Sequence, residues 1–573
     1  LLVHQQRRRV GVTLALTLGV FTPGCTLELV DTLIGVGAKP DQADADTGAD
    51  AGSDGDGGEG EGGGGDEDGG GDEGEDGATL FDVAGGSETG GMQVTSCAFT
   101  AQAPSNIGCE FYGFDVDGPG LFDHEPYGFV VINPLPDPVE VELQRHALGV
   151  WTTIDHALIA GEDEHVFLPD DNHVHGTGVH PGTSQRIRSD QPIIVIQAHP
   201  ATGQAISSSA TMLAPSTAWS TTTPVAGWRT HLGVGERSFL AVLSRTGGTT
   251  VVIKPSFGVA DVPAQWADQW IDVDNDGALE LVVPIEPGEV LRLDAIAIDA
   301  AEVDHGISGS TVQSGQEHPT SLFSGHTCAS IPDYEGTCGH LQEQLCPKLI
   351  GTRFVAPRLI ATHHPGDVIN PDPQAPLVHE RTMIQVVATA PATTVVFSTY
   401  EDGVAVELDS ALIDPVDPYA VYVTDRDLAI TSDKPIIAAA YMTNAGLTGF
   451  GSPSMVQLAP VDQWTGHHWV WAPAGYETHL LVSSSATASV AVEWLAGLAG
   501  DDSPQPSPEP LDLTWAADAD QAWVIRRFVV GPGIHRVVST GPASVVVTGW
   551  RGADGFAYLG GWGQSFADFR PEG

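Results

Sequence analysis

The chain has 573 residues, with 75 Asp and Glu against 23 Lys and Arg, for a formal net charge of −52 at pH 7. That sign excludes binding driven by neutralising nucleic-acid phosphates and opposes adsorption onto anionic lipid. With 69 glycines, 40 prolines, many β-branched residues and no long run of helical period, the bulk reads as all-β.

Arg7-Arg8-Arg9 and the apolar run from Val10 to Phe21 have the form of a secretory signal, and the run is too short to span a bilayer. It ends in Thr22-Pro23-Gly24-Cys25, which resembles a bacterial lipobox, although Thr22 stands where an aliphatic residue is usual. On this reading residues 1–24 are a signal peptide and Cys25 carries acyl chains, which attach the protein to a membrane without crossing it. Thr26, in place of aspartate, favours the outer membrane and cell surface by resemblance to lipoprotein sorting in enteric bacteria; plain secretion is the alternative. Residues 25–90 are expected to be a disordered linker. From Gln42 to Gly77 no apolar residue exceeds alanine, so nothing offsets the entropy of ordering, and like charges extend the segment.

From residue 91 to 573 short strands alternate with turns. Phe129 to Asn133 and Val139 to Leu143 flank a proline-rich turn, and the second alternates apolar with acidic residues as a half-buried strand does. Ser189-Asp190-Gln191-Pro192 precedes Ile193-Ile194-Val195-Ile196, and the pattern returns at Ser432-Asp433-Lys434-Pro435. Weaker copies are Gln316-Glu317-His318-Pro319 and Ser539-Thr540-Gly541-Pro542. Turn chemistry followed by proline at a strand start predicts a hairpin at each. Met212-Leu213-Ala214-Pro215 leads to Trp219, and Val456-Gln457-Leu458-Ala459-Pro460 leads to Trp464, a second repeating landmark. The expectation is tandem β-sandwich-like modules in about four repeats, roughly 91–205, 206–330, 331–443 and 444–573, with a β-propeller as the alternative.

These residues resemble the N-terminal domain of the IgGFc-binding protein family. The resemblance rests on Gly108-Cys109-Glu110-Phe111-Tyr112-Gly113, Ile187 to Pro192, Gly325-His326-Thr327-Cys328, Cys338-Gly339-His340-Leu341-Gln342-Glu343-Gln344-Leu345 and Thr431 to Pro435. It spans most of residues 95–565. His318 and Thr320 depart from the third copy, and Cys346 stands where the family usually has proline. The cysteine-rich von Willebrand D modules of the family's mucus member are missing from this sequence, so IgG binding is not carried over. The resemblance implies binding or adhesion.

In an oxidising compartment Cys97 with Cys109 and Cys328 with Cys338 are the expected disulfides, each closing a short loop and leaving Cys346 over. A zinc site from Cys328, Cys338, His340 and Cys346 is the weaker alternative. Asp272-Val273-Asp274-Asn275-Asp276-Gly277 has calcium-loop spacing, with Glu280 as a further ligand, and an Asn-Asp-Gly turn as the competing reading. Asp170, Asp171, His173, His175 and His180 form a polar run that is either a metal site or a solvated loop. Trp219, Trp464, Trp469 and Trp471 are candidates for loop contacts, with core packing the favoured fate. No H-E-x-x-H, G-x-S-x-G or Walker loop is present, so no enzyme is expected. The expectation is a cell-surface lipoprotein that binds an extracellular protein or glycan, with no cofactor beyond calcium, no nucleic acid, and membrane contact through its anchor alone. A secreted glycan hydrolase and a structural envelope component are the rival readings.

Overall fold

The computed structural model describes residues 96–116, 127–147, 149–170, 172–201, 208–229, 237–245, 248–296, 306–331, 339–359, 366–367, 370–371, 381–413, 419–443, 452–496, 508, 510–552 and 554–563. All lie in one compact unit, Ser87–Gly573. The signal segment, Cys25, the acidic linker and Cys338 fall outside the described residues.

After a short helix, α1 (Cys97–Gln102), the first group of strands is β1 (Gly108–Phe114), β2 (Gly128–Ile132), β3 (Val139–Ala147), β4 (Val150–Ile159), β5 (Glu164–Phe167), β6 (Gly178–His180), β7 (Ser184–His199) and β8 (Ser209–Met212). β7 organises the group. Its first half pairs with β1 and β3, with β4 beyond β3, and its second half pairs with β2 and β8, with β5 beyond β2. One strand thus belongs to an outer sheet and then to an inner sheet.

The Ser-Asp-x-Pro segment marks the crossing. It was expected to reverse the chain, and it does not: Ser189 to Pro192 lie inside the single strand β7, and Ser432 to Pro435 inside Leu428–Met442. The side chains explain why the backbone tolerates the bend. Ser189 Oγ donates to the Gln191 carbonyl (2.5 Å), and Asp190 Oδ1 accepts the N–H of Glu140 in β3 (3.1 Å). Ser432 to Lys434 O (2.7 Å) and Thr394 N to Asp433 Oδ1 (2.7 Å) repeat both bonds. At Ser539 to Pro542 the acceptor is Thr540 Oγ1, bonded by Ser489 N at 3.0 Å. Where a strand leaves its neighbour, that neighbour's N–H would otherwise lose its acceptor. Proline has no N–H to lose at the departure point.

The second group is β9 (Thr222–Pro224), β10 (Ser238–Ser244), β11 (Thr249–Lys254), β12 (Trp270–Ile271), β13 (Glu280–Ile285), β14 (Val290–Asp294), β15 (Thr311–Ser314), β16 (Thr320–Ala329) and β17 (Gly339–Leu345). Here the crossing strand is split, because Gln316 to Pro319 form a true turn closed by His318 N to Gly315 O (2.9 Å). Register is otherwise kept: Leu143 opposes Ile187 as Ile253 opposes Val312, Phe397 opposes Ile430 and Val492 opposes Val537. The third group comprises the strands from Gly351–Ala356 to Ser454–Gln457 and the fourth those from Thr465–Ala472 to Asp554–Leu559. In the fourth the strand Asp512–Ala517 joins the inner sheet through Ala522–Val530, where the first three groups carry its counterpart in the outer sheet.

The central strands of the inner sheets are mostly apolar, as in Gly128–Ile132, because both their faces are covered. Phe129, Val131, Ile193 and Val195 pack with Phe239, Ala241 and Phe323 of the second group. Leu240 and Val242 pack with Met383 and Ile437 of the third, and Ile384 and Ala438 with Leu481 and Val546 of the fourth. Leu480 and Val545 return to Val130, Ile132 and Ile194 of the first. The fold is all-β, with sandwich-like modules whose inner sheets stack in a closed ring, so a propeller-like order holds between modules. Each fully buried Val, Ile or Phe in that stack stabilises it by about 1.5–3 kcal/mol.

The innermost strands are joined cyclically by side chains. Thr211 Oγ1 accepts Gln344 N (3.1 Å), Glu343 Oε1 accepts Gln457 N (3.2 Å), Ser454 Oγ accepts Ala557 N (2.8 Å), and Asp554 Oδ1 accepts Ser208 N (2.9 Å). Asn106 and Trp562 complete the closure, exchanging Asn106 N to Trp562 O (3.1 Å) and Trp562 N to Asn106 Oδ1 (3.0 Å).

Candidate functional site

The seams between groups differ in how they close. At the seam from the fourth group to the first, Arg536 Nη1 bonds Glu162 Oε1 at 2.7 Å, and from the third to the fourth, Arg353 Nη2 bonds Asp518 Oδ2 at 3.0 Å. Deeper in the latter seam the buried Asp427 meets Arg527 and lies 3.7 Å from Arg358 Nε. Burial alone would raise the Asp427 carboxyl, but Arg527 and Arg358 outweigh it and hold it below the ordinary value.

The seam from the first group to the second is open at the surface. Arg186 stands six residues before Pro192, as Arg536 stands before Pro542. It turns inward, where its Nε donates to Gln144 Oε1 (2.8 Å) and its guanidinium lies 4.5 Å from the Trp151 ring. A cleft of about 710 Å³ remains, with Arg145, His146 and Gly149 on one wall, Pro181 and Gly182 beside them, and Glu286 and Glu289 on the other. Gly288 shapes it: φ is +79° there, and a Cβ would come within 2.2 Å of His146 Cβ. The volume suits a side chain or small ligand; behind the wall His146 lies against Trp151 (ring centroids 5.1 Å apart), which Arg186 covers.

β4 runs away from this cleft. Among the described residues it pairs with β3 alone, and Val150, Ile154 and Leu158 are 58%, 44% and 73% exposed. The third group carries a matching strand, Val404–Ile413, that pairs on one side alone among the described residues.

The sequence candidates are distributed as follows. Cys97 and Cys109 form a disulfide tying α1 to β1, and Cys328 is disulfide-bonded as well. A sulfur so used cannot serve as a zinc thiolate, and Cys346 is a buried free thiol pushed up to about 12 by burial. Asp272, Asp274 and Asp276 do converge, with one ligand atom from each lying within 4.8 Å of the others. Their donors suit a hard cation, yet the chain supplies its own: Lys254 Nζ is 3.4 Å from Asp274 Oδ2, bonds Asp276, and lies 3.6 Å from Glu280 Oε1. Glu280 is buried and accepts Val273 N at 2.8 Å, so the loop locks the β12–β13 hairpin.

His173 and His175 flank a bridge in which Val174 pairs with Val116, and His173 Nδ1 is 3.4 Å from Asp115 Oδ2; the run crosses the group as structure. Asp171 lies outside the described residues. Trp219, Trp464, Trp469 and Trp471 are all buried, so none makes loop contacts; the first two donate to Ala214 O (3.3 Å) and Ala459 O (3.1 Å). Sequence reasoning missed the cleft, because its walls come from residues 145–149, 181–182 and 286–289 with no local signature.

The ring of strand-built modules thus leaves an open cleft at its first seam and, among the described residues, strand edges without a partner. The chain belongs to the IgGFc-binding protein family: the family model described as IgGFc binding protein matches residues 209–549. No curated protein and no solved structure matches the chain.

Proposed function

We propose that the protein is a lipid-anchored, surface-displayed scaffold that binds an extracellular protein, with residues 25–90 as its stalk. Family membership carries this reading, and the open cleft at the first seam, lined by Arg145, His146, Glu286 and Glu289, supports a protein ligand over a purely structural role. The lipobox-like Thr22 to Cys25 supports the anchor. Calcium is a proposed ligand of Asp272, Asp274, Asp276 and Glu280, in competition with Lys254.

The test takes the full chain, disulfides intact, across arrays of extracellular proteins (IgG Fc among them) and glycans, with and without calcium. Saturable capture of a defined protein is expected. Silence on every protein feature, or capture confined to glycans, overturns the protein-ligand reading. Cys25→Ser is expected to release the protein from membranes in fractionation, and retention overturns the anchor.

A further inference from the structure

We infer that the free edge of β4 is a strand-addition site, taking a short extended segment of the partner protein in antiparallel pairing. This deepens the reading of the chain as a protein-binding scaffold and rests on it. The structure itself shows what fits such an edge. β4 and β13 are counterparts, since Val139 opposes Ile159 as Thr249 opposes Ile285, and Leu143 opposes Asp155 as Ile253 opposes Leu281.

On β13 the outer edge is occupied by this chain's own β12, with Trp270 opposite Leu281 and Ile271 opposite Glu280. There Leu281 and Glu280 are buried. On β4 the equivalent residues, Asp155 and Ile154, are exposed, and so is most of the strand. One edge plan is thus filled in the second group and vacant among the described residues in the first.

A free strand edge presents unpaired backbone donors and acceptors, and native edges are blunted by charge. β4 carries one carboxylate, Asp155, in ten residues, whereas its third-group counterpart carries Glu407 and Asp409. A bulge between Leu143 and Gln144 breaks the ladder at Ile154. That break disfavours docking of a long flat sheet and suits a short segment. A second copy of this chain is also disfavoured by the net charge of −52. Backbone pairing would supply affinity, Ile154 and Leu158 would pack alternate aliphatic or aromatic side chains, and the cleft at Gly149 would receive the segment's end.

The probe is a synthetic peptide with the sequence of residues 266–274 of this chain, added in trans to the full-length protein. Binding is read by fluorescence anisotropy and by amide hydrogen exchange. Protection of β4 amides is expected, with binding weakened roughly tenfold by Leu158→Lys, an exposed position where charge opposes pairing. Leu412→Lys, on the equivalent edge of the third group, is expected to leave it unchanged.

Protection elsewhere than β4, or equal loss from both variants, overturns the inference. So does peptide-independent self-association abolished by Leu158→Lys, which would make a second copy the occupant. An array ligand that binds wild type and Leu158→Lys equally overturns the edge site while leaving the scaffold reading in place.

Discussion

Glu343 offers the sharpest test of how the ring is held. It is buried at the innermost strands, where Oε1 accepts the Gln457 N–H, Thr211 lies within side-chain hydrogen-bonding reach of the carboxyl, and Oε2 is otherwise unpartnered among the described residues. Burial raises its carboxyl from 4.5 to about 8, against smaller opposing hydrogen bonds. Below pH 4.5 the group is protonated whether the chain is folded or not, and contributes nothing to pH dependence. Above it the unfolded chain ionises while the folded one stays neutral, so stability falls as pH rises toward 8 and levels off beyond. At about 1.4 kcal/mol per pH unit, the whole window is worth about 5 kcal/mol, and the step from pH 5 to pH 7 about 2–3 kcal/mol.

Glu343→Gln keeps the shape and the acceptor for Gln457 while removing the titration. In urea unfolding at pH 5, 7 and 8.5 the variant should gain on wild type by about 2–3 kcal/mol between the first two, and by somewhat more at the third. Glu164, raised to about 7 by burial with Asp163 adding to it, stays in both proteins and cancels. A wild-type-to-variant difference that does not change with pH would show that Glu343 ionises freely in the fold and refute the reasoning.

Three further outcomes are expected. Asp427→Ala removes the buried carboxylate between Arg527 and Arg358, leaving Arg527 with Asp512 at 3.2 Å as its counter-ion, and should cost about 3–5 kcal/mol in denaturant unfolding, whereas Asp518→Asn, facing the partly exposed Arg353, should cost no more than about 1 kcal/mol. Equal costs would contradict the burial argument. Asp433→Ala removes the acceptor of Thr394 N at the strand crossing and should lower stability by about 1 kcal/mol, with the loss of amide-exchange protection centred on Thr394. Lys254→Met should make the melting temperature respond to roughly millimolar calcium more strongly than wild type. An identical response would mean that Lys254 does not compete for the loop.

How much of this was legible beforehand depends on whether the deciding partners are near in sequence. Val139 to Leu143 announced a half-buried strand through its own alternation, and the doubly buried runs at Ile193 and Ile436 announced themselves by having none. Cys97 and Cys109 pair across a short separation. Ser-Asp-x-Pro was recognised as a special backbone point but read as a reversal. Its turn chemistry is the same for a bend, and the choice is made by Glu140 or Thr394, strands away. Asp272 to Asp276 gave the carboxylate geometry and not the ammonium at its centre, because Lys254 comes from β11. The cleft was invisible for the same reason: its two walls are over 130 residues apart.

The bonds between Asn106 and Trp562 carry a consequence for biogenesis. Each inner sheet shares its apolar cover with its neighbours, and one face of the first sheet packs against the last group in the chain. A chain emerging from its N-terminus therefore holds Val130, Ile132 and Ile194 without that cover until the fourth module has been synthesised. Those side chains are the surface a holding chaperone would have to shield until then.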